Sequence, residues 1–411
     1  MIEWKTSDNF NPQVVLDEIE SAKIVSPEGG ISFYAFQYHD AFATLFSMID
    51  FPDNVANELD VHSVLSRGVQ DAARIGSLTM QSVLDSINNI AISELETPLK
   101  KFHLLSSLSI SRDIPFKRKC YDSFTFRITK DKYPEKYNTR NATIAQNDNM
   151  FNFEHPGYSK VIVTVKAKTY YGAASKALNC LDLIRSILCF YSNSEMTLLF
   201  GPDYLPINKV RTGQVHTLHN EDGSPATSNV WFEPNFVEAK IFNSPQFHVI
   251  KDNLFWFLDM LEKCNYKKVL IKTLLRFVRS LDEKDHNSAL IQLWGVLENI
   301  VSPNEKNYNK ISKRVSFLFK EPQYHKQVIE HLREYRNSTI HAGDQSRRAK
   351  SLCFQLQFYI RKIINFHITY SENFESLQQA NNFLDFPSNP DALLKKYKLI
   401  KSAVGYRGLE N

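Results

Sequence analysis

The chain has 411 residues, 43% of them hydrophobic, and a net charge of +4, which is material for two or three domains with sizeable cores. Its 13 glycines argue against a chain built of tight hairpins or glycine-rich phosphate loops. No stretch approaches the ~18 uninterrupted apolar residues of a membrane span, and the five scattered cysteines, with no CxxC pair, speak against a disulfide framework or a structural zinc site.

In chain order, residues 1–33 hold two possible strands and the turn Pro27-Glu28-Gly29-Gly30. The start, Met1-Ile2-Glu3-Trp4-Lys5, lacks the basic and apolar regions of a secretory signal, so a reducing cytoplasm is expected. Residues 34–111 are predicted to be mainly helical, with apolar residues at three and four spacings from Ala41 to Ile49 and from Val61 to Ile92; Pro98 could open a further helix. The period then changes. Tyr121–Ile128 is aromatic and β-branched and predicts a strand, and 131–149 is polar and predicts a long loop. Lys160–Ala167 predicts a strand. Tyr171–Tyr191 predicts a helix, with Ala177, Leu181, Ile184 and Leu188 on one face. Residues 210–218 and 228–232 flank Asp222-Gly223 and predict a hairpin.

From Gln246 the strand signals stop. Helices are predicted over 247–263, 268–281, 286–301, 308–319, 323–341 and 346–370, with Pro303 and Pro322 as breaks. Shorter ones follow near 377–384 and 392–402. The division expected is therefore an α+β region over 1–245 (helical over 34–111, strand-rich over 119–240) and an all-α bundle over 246–411. Charge divides with it. Of the chain's 49 Lys+Arg, 26 lie from Gln246 onward, against 17 of the 45 Asp+Glu; the first 245 residues hold 23 against 28. A basic half beside a mildly acidic one points to a polyanionic partner, or to solvated, lysine-rich helix faces.

The segment richest in chemistry is Arg333-Glu334-Tyr335-Arg336-Asn337-Ser338-Thr339-Ile340-His341-Ala342-Gly343, late in a predicted helix with Gly343 as a C-cap candidate. Asn337 and His341 are four apart and share a face; Arg336 lies about 100° around from Asn337. Arginine offers a permanently charged fork for phosphate oxygens. Histidine can take the proton of an RNA 2′-OH or give one to the leaving 5′-oxygen. Asparagine can orient the imidazole or hold a phosphate oxygen. The substrate supplies the nucleophile, so neither a metal nor a cofactor is required, and the products would be a 2′,3′-cyclic phosphate and a 5′-OH. One histidine serves poorly as both acid and base, so a homodimer with a composite site is expected. The bland alternative is a histidine that caps a helix C-terminus and an arginine paired with Glu298 or Glu334.

Arg336-Asn337 through His341 resembles the R-x4–6-H motif of HEPN ribonucleases, in the form with a polar residue after the arginine. Ala289–Glu298, with Trp294 and Glu298, resembles the helix of that family that carries a tryptophan and a glutamate. The layout is similar to the ApeA-like branch, in which a larger α+β region precedes the nuclease. The resemblance covers roughly residues 246–370. It implies an endoribonuclease of the toxin or anti-phage type, with Arg336 and His341 catalytic, Asn337 supporting and Glu298 orienting. It also implies an RNA substrate, possibly tRNA, and a phage or host trigger bound by residues 1–245. Lys313, Arg314, Arg347, Arg348 and Lys350 flank the motif and could track an RNA backbone. A rival expectation is a HEPN fold kept only for RNA holding, dimerisation or ligand sensing. His216 and His219, spaced H-x-x-H, lack a companion ligand for zinc.

Overall fold

A computed structural model describes residues 1–7, 9–26, 28, 30–147, 155–193, 196, 205–234, 236–303, 309–342 and 348–408; of Ala35, Lys130, His341 and Ala342 it describes the backbone alone.

The first ninety-odd residues have their own core. Two short antiparallel pairings, β1 (Glu3–Trp4) with β4 (Ile49–Asp50) and β2 (Lys23–Val25) with β3 (Ile31–Phe33), edge five helices. These are α1 (Pro12–Ser21), α2 (Ala35–Ser47), α3 (Asp53–Ala56), α4 (Val61–Ile75) and α5 (Met80–Leu95). Where two strands are expected within 1–33, three short ones form, and the helix α1 lies between the first and the second. Pro12 at its first position starts it, and Leu16 and Ile19 bury one face. Leu45, Leu65, Val69 and Ile87 fill the centre of this core. Gly68 lets α4 and α5 approach closely: a Cβ there would lie 2.2 Å from Ile87 Cγ2.

A six-stranded antiparallel sheet follows, in the order β10-β9-β5-β8-β7-β6. Its strands are β5 (Lys100–Leu108), β6 (Arg118–Tyr121), β7 (Phe124–Lys130), β8 (Ser159–Ala167), β9 (Val215–Asn220) and β10 (Pro225–Phe232). Here the helical expectation for 34–111 fails. After Pro98 comes no helix but β5, an interior strand whose residues from Phe102 on are all buried. Covered on both faces, it shows no alternation, and its apolar run reads equally well as a helix. The strand expected over Tyr121–Ile128 forms from Phe124 on as β7, while Tyr121 ends β6 and Asp122-Ser123 turn between them, with Asp122 at φ 45. The loop expected over 131–149 contains α6 (Arg140–Ala145). The hairpin at Asp222-Gly223 forms as predicted, with Gly223 at φ 100.

Helix α7 (Tyr170–Ser192) starts at Thr169, whose hydroxyl accepts from Gly172 N, and is buried on every side from Leu181 to Phe190. It packs on the sheet with one side and on two later helices with the other. Those belong to the all-α stretch: α8 (Phe247–Lys263), α9 (Lys267–Ser280), α10 (His286–Val301), α11 (Asn309–Ser316), α12 (Pro322–Ala342), α13 (Ala349–Thr369), α14 (Leu377–Leu384) and α15 (Pro390–Tyr406). Each falls within a few residues of its predicted span. Asp285 caps α10 by accepting from Ser288 N at 2.9 Å, and α10 packs on α9, α12 and α13. The apolar core runs without a break from sheet residues such as Leu104, Phe126 and Val163, through α7, to Leu254, Phe277, Leu293 and Ile360. Sequence texture thus changes near residue 245, whereas the core is continuous across it and a separate core lies N-terminal to the sheet. No helix among the described residues is long and apolar enough to cross a membrane.

Candidate functional site

Helix α12 begins at Pro322, which terminates the preceding turn and tolerates the first helical position. Ile329 and Leu332 form its buried stripe, and Arg336 is the next residue on that line, four beyond Leu332. A guanidinium therefore stands where the helical pattern would place an apolar side chain. Arg336 is half-buried. Its Nη1 donates to Asn337 Oδ1 at 3.0 Å. Its Nε is buried and has no hydrogen-bond partner among the described residues. The neighbouring Tyr335 donates its hydroxyl to Asn287 Oδ1 at 2.6 Å, which ties this end of α12 to the start of α10. Thr339 bonds back to the Tyr335 carbonyl at 2.9 Å. His341 belongs to the same helix, four residues after Asn337, and its side chain lies outside the described residues.

Glu298 is engaged elsewhere. Its Oε1 accepts from Trp294 Nε1 at 2.7 Å, and Trp294 is buried. Among the described residues no ion pair or hydrogen bond joins Glu298 to Arg336, and the bonded contact between α10 and α12 lies at the opposite end of α10. Glu334 does not hold Arg336 either; it pairs with Arg333 at 3.5 Å, and Arg333 also holds Glu330 at 2.7 Å. Asn337 is the residue that the structure brings to Arg336.

The flanking cations separate into different kinds. Arg314 is a correction: it is not a surface residue but fully buried, with Nε and Nη2 on the Asp385 carboxylate at 2.9 and 2.7 Å and Nη1 on the Val301 carbonyl. A saturated, buried guanidinium cannot track a nucleic-acid backbone; this one fastens α11 to the segment after α14. Lys313 is exposed, and its Nζ donates to the Asp385 carbonyl at 2.7 Å. Arg348 is exposed at the start of α13 and Lys350 is half-buried. Arg347 lies outside the described residues. His216 and His219 point to opposite faces of β9. His216 meets Ser106 at 2.8 Å, while His219 meets the Gly223 carbonyl at 2.9 Å. Among the described residues, no group of three His, Cys, Asp or Glu side chains is placed to hold a metal.

Sequence reasoning missed a second charged cluster, where α7 and the sheet meet α9. Arg185, fully buried, donates to Asp182 at 2.8 and 3.0 Å and to Asp282 at 2.7 and 2.9 Å. Arg279 bonds both Asp182 and Glu233. Asn208 donates to Asp282 at 2.7 Å, and Arg211 stands 3.7 Å from the same carboxylate. Burial alone would raise the Glu233 carboxyl, but His216 and the charges of Arg279 and Arg185 outweigh it and hold it at about 2. This cluster is satisfied within the protein. Its only sequence signal is polar residues, Asp182 and Arg185, inside the otherwise apolar helix α7.

No family model matches the chain, and neither a curated protein nor a solved structure is found to match it.

Proposed function

We propose that the protein is a metal-independent endoribonuclease of HEPN type, cutting RNA with its own 2′-OH at the C-terminal end of α12. The observation that carries the reading is the state of Arg336: a half-buried guanidinium, steadied by Asn337, with a buried Nε that no described residue engages. Buried polar atoms without partners are costly and uncommon, and they concentrate where a ligand completes the bonding. A phosphate oxygen fits a fork of this kind, with charge-assisted hydrogen bonds. His341, four residues from Asn337 on the same helix, is assigned proton transfer. A second copy of the chain would bring a second His341, so that one acts as base and the other as acid.

The Asn337 amide keeps the Arg336 fork in one orientation before substrate arrives, which lowers the ordering cost of binding. Glu298 has a supporting part in this reading, fixing Trp294 behind α10 rather than touching RNA. Residues 1–245 are assigned the control of this activity, and the setting is that of a toxin or anti-phage effector. The test is incubation of purified protein with tRNA, with and without EDTA, followed by end-group analysis. Cleavage that survives EDTA and leaves cyclic phosphate and 5′-OH ends is expected. Intact RNA bound by wild type, or 5′-phosphate ends, would overturn the reading.

A further inference from the structure

The sheet face turned away from α7 is only half covered. Tyr133 and Tyr137, on the segment leading into α6, pack over Leu105 and Ile162. Beside them the strands leave a cavity of about 420 Å³, within the size range of small-molecule sites. Arg118 and Arg127 line it, and they are direct register partners across β6 and β7. Like charges placed opposite each other in an antiparallel pair repel. Among the described residues no carboxylate forms an ion pair with either. Lys136 lines the same cavity, donating to the Glu221 carbonyl at 2.7 Å and lying over the Tyr137 ring. The one carboxylate there, Glu221, is taken by Lys101.

The cavity also has neutral polar groups. His103 is 9% exposed; its Nδ1 meets Thr164 Oγ1 at 2.9 Å, and among the described residues its Nε2 has no hydrogen-bond partner. Burial, reinforced by the nearby Lys136 charge, lowers the imidazole to about 4, so it is neutral at pH 7. Thr125 adds a hydroxyl. A second cavity of about 410 Å³ shares Arg127 and adds Lys117 and Lys132. The repulsion built into the strand pair is relieved by one kind of guest, a compact group with several negative oxygens, and His103 Nε2 can donate to it in the tautomer that carries its proton there.

We infer that this sheet face binds a small ligand carrying a diphosphate, its oxygens bridging Arg118 and Arg127 with Lys136 at the side. Two guanidinium forks and an ammonium match a group of three to four negative charges better than a single carboxylate. The site lies on the sheet, apart from α12, and its test reads binding and not cleavage, so it stands or falls independently of the nuclease reading.

Isothermal titration of the full chain at low ionic strength with inorganic pyrophosphate and with ATP tests it. Binding of at least one is expected. ATP tighter than pyrophosphate identifies a nucleotide as the source of the diphosphate; equal affinities identify the diphosphate alone. Arg127→Gln should weaken binding about tenfold or more, a change of ~1.4 kcal/mol. The same substitution removes the cross-strand repulsion, so the thermal midpoint of the free protein should stay level or rise. No binding of either compound, unchanged affinity in Arg127→Gln, or binding of a single-stranded RNA oligonucleotide alone would overturn the inference.

Discussion

Arg185 and Arg336 both lie on long helices, and both are drawn out of full solvent exposure, yet their surroundings are opposite. Around Arg185, at the seam of α7, α9 and the sheet, Asp182 and Asp282 take the guanidinium's donors, and Glu233, Arg279 and Asn208 extend the network. Around Arg336 the described residues offer one amide oxygen and leave a buried Nε over. Burial of a charge is tolerated only when it is paired and hydrogen-bonded. The saturated cluster therefore serves to join the sheet to the helices, whereas Arg336, like Arg361, keeps a buried Nε without a partner among the described residues, and on the proposed function that spare capacity goes to the substrate. Arg314, saturated by Asp385 and Val301, belongs with Arg185 although it is close in sequence to the site.

Breaking the saturated cluster should have the largest effect. Asp282→Ala leaves Arg185 buried with half its partners and is expected to cost ~3–5 kcal/mol in urea unfolding. A loss below ~1 kcal/mol would show that the seam does not depend on these charges. Arg336→Ala should do the reverse, with stability near wild type and RNA cleavage reduced at least ~100-fold, the ~2.7 kcal/mol scale of losing one donor to transition-state charge. A variant that cuts as fast as wild type would remove Arg336 from the site. Third comes Arg314→Ala, expected to cost ~1–3 kcal/mol because Asp385 is partly solvated. Limited proteolysis should then cut first around residues 385–390.

Acid should act next. Burial lowers His367 to about 3, and burial with Lys136 lowers His103 to about 4, both from an unfolded value near 6.5. The unfolded chain thus binds these protons first. Their contribution is whole above pH ~6.5 and is lost as pH falls toward the folded values, by up to ~1.4 kcal/mol per pH unit for each histidine. His367→Leu should flatten the stability profile between pH 6 and 4; an unchanged slope would count against a neutral buried imidazole. The smallest effect is expected at Glu298. Glu298→Gln keeps an acceptor for the Trp294 indole, so it is expected to cost below ~1 kcal/mol and to leave cleavage within a few-fold of wild type. If Glu298→Gln abolishes cleavage while folding is intact, the glutamate acts in the chemistry after all.

The helical stretch was legible from Gln246 onward because each helix announces itself locally. Apolar residues recur at three and four, Asp285 caps α10, and Pro322 opens α12. The strand β8, the helix α7 and the hairpin at Gly223 were legible for the same reason. Residues 100–108 were not, because a strand covered on both faces loses the alternation that marks it. Helix α1 was hidden by its β-branched residues Val14 and Val15, overruled by a packed face at Leu16 and Ile19. At the site, the shared face of Asn337 and His341 could be read from their spacing on one helix, but the Arg336–Asn337 bond, the engagement of Glu298 with Trp294 and the burial of Arg314 could not.

What the sequence alone determined are features set within one helical turn or one hairpin: the spans of α8 to α15, the shared face of Asn337 and His341, and the turn at Asp222-Gly223. Tertiary structure decided which charges are spent. Asp282 finds Arg185 across ninety-seven residues and Asp385 finds Arg314 across seventy-one. The reason is physical: hydrogen bonds and burial between distant segments depend on how helices and sheet dock, and no local spacing encodes that docking.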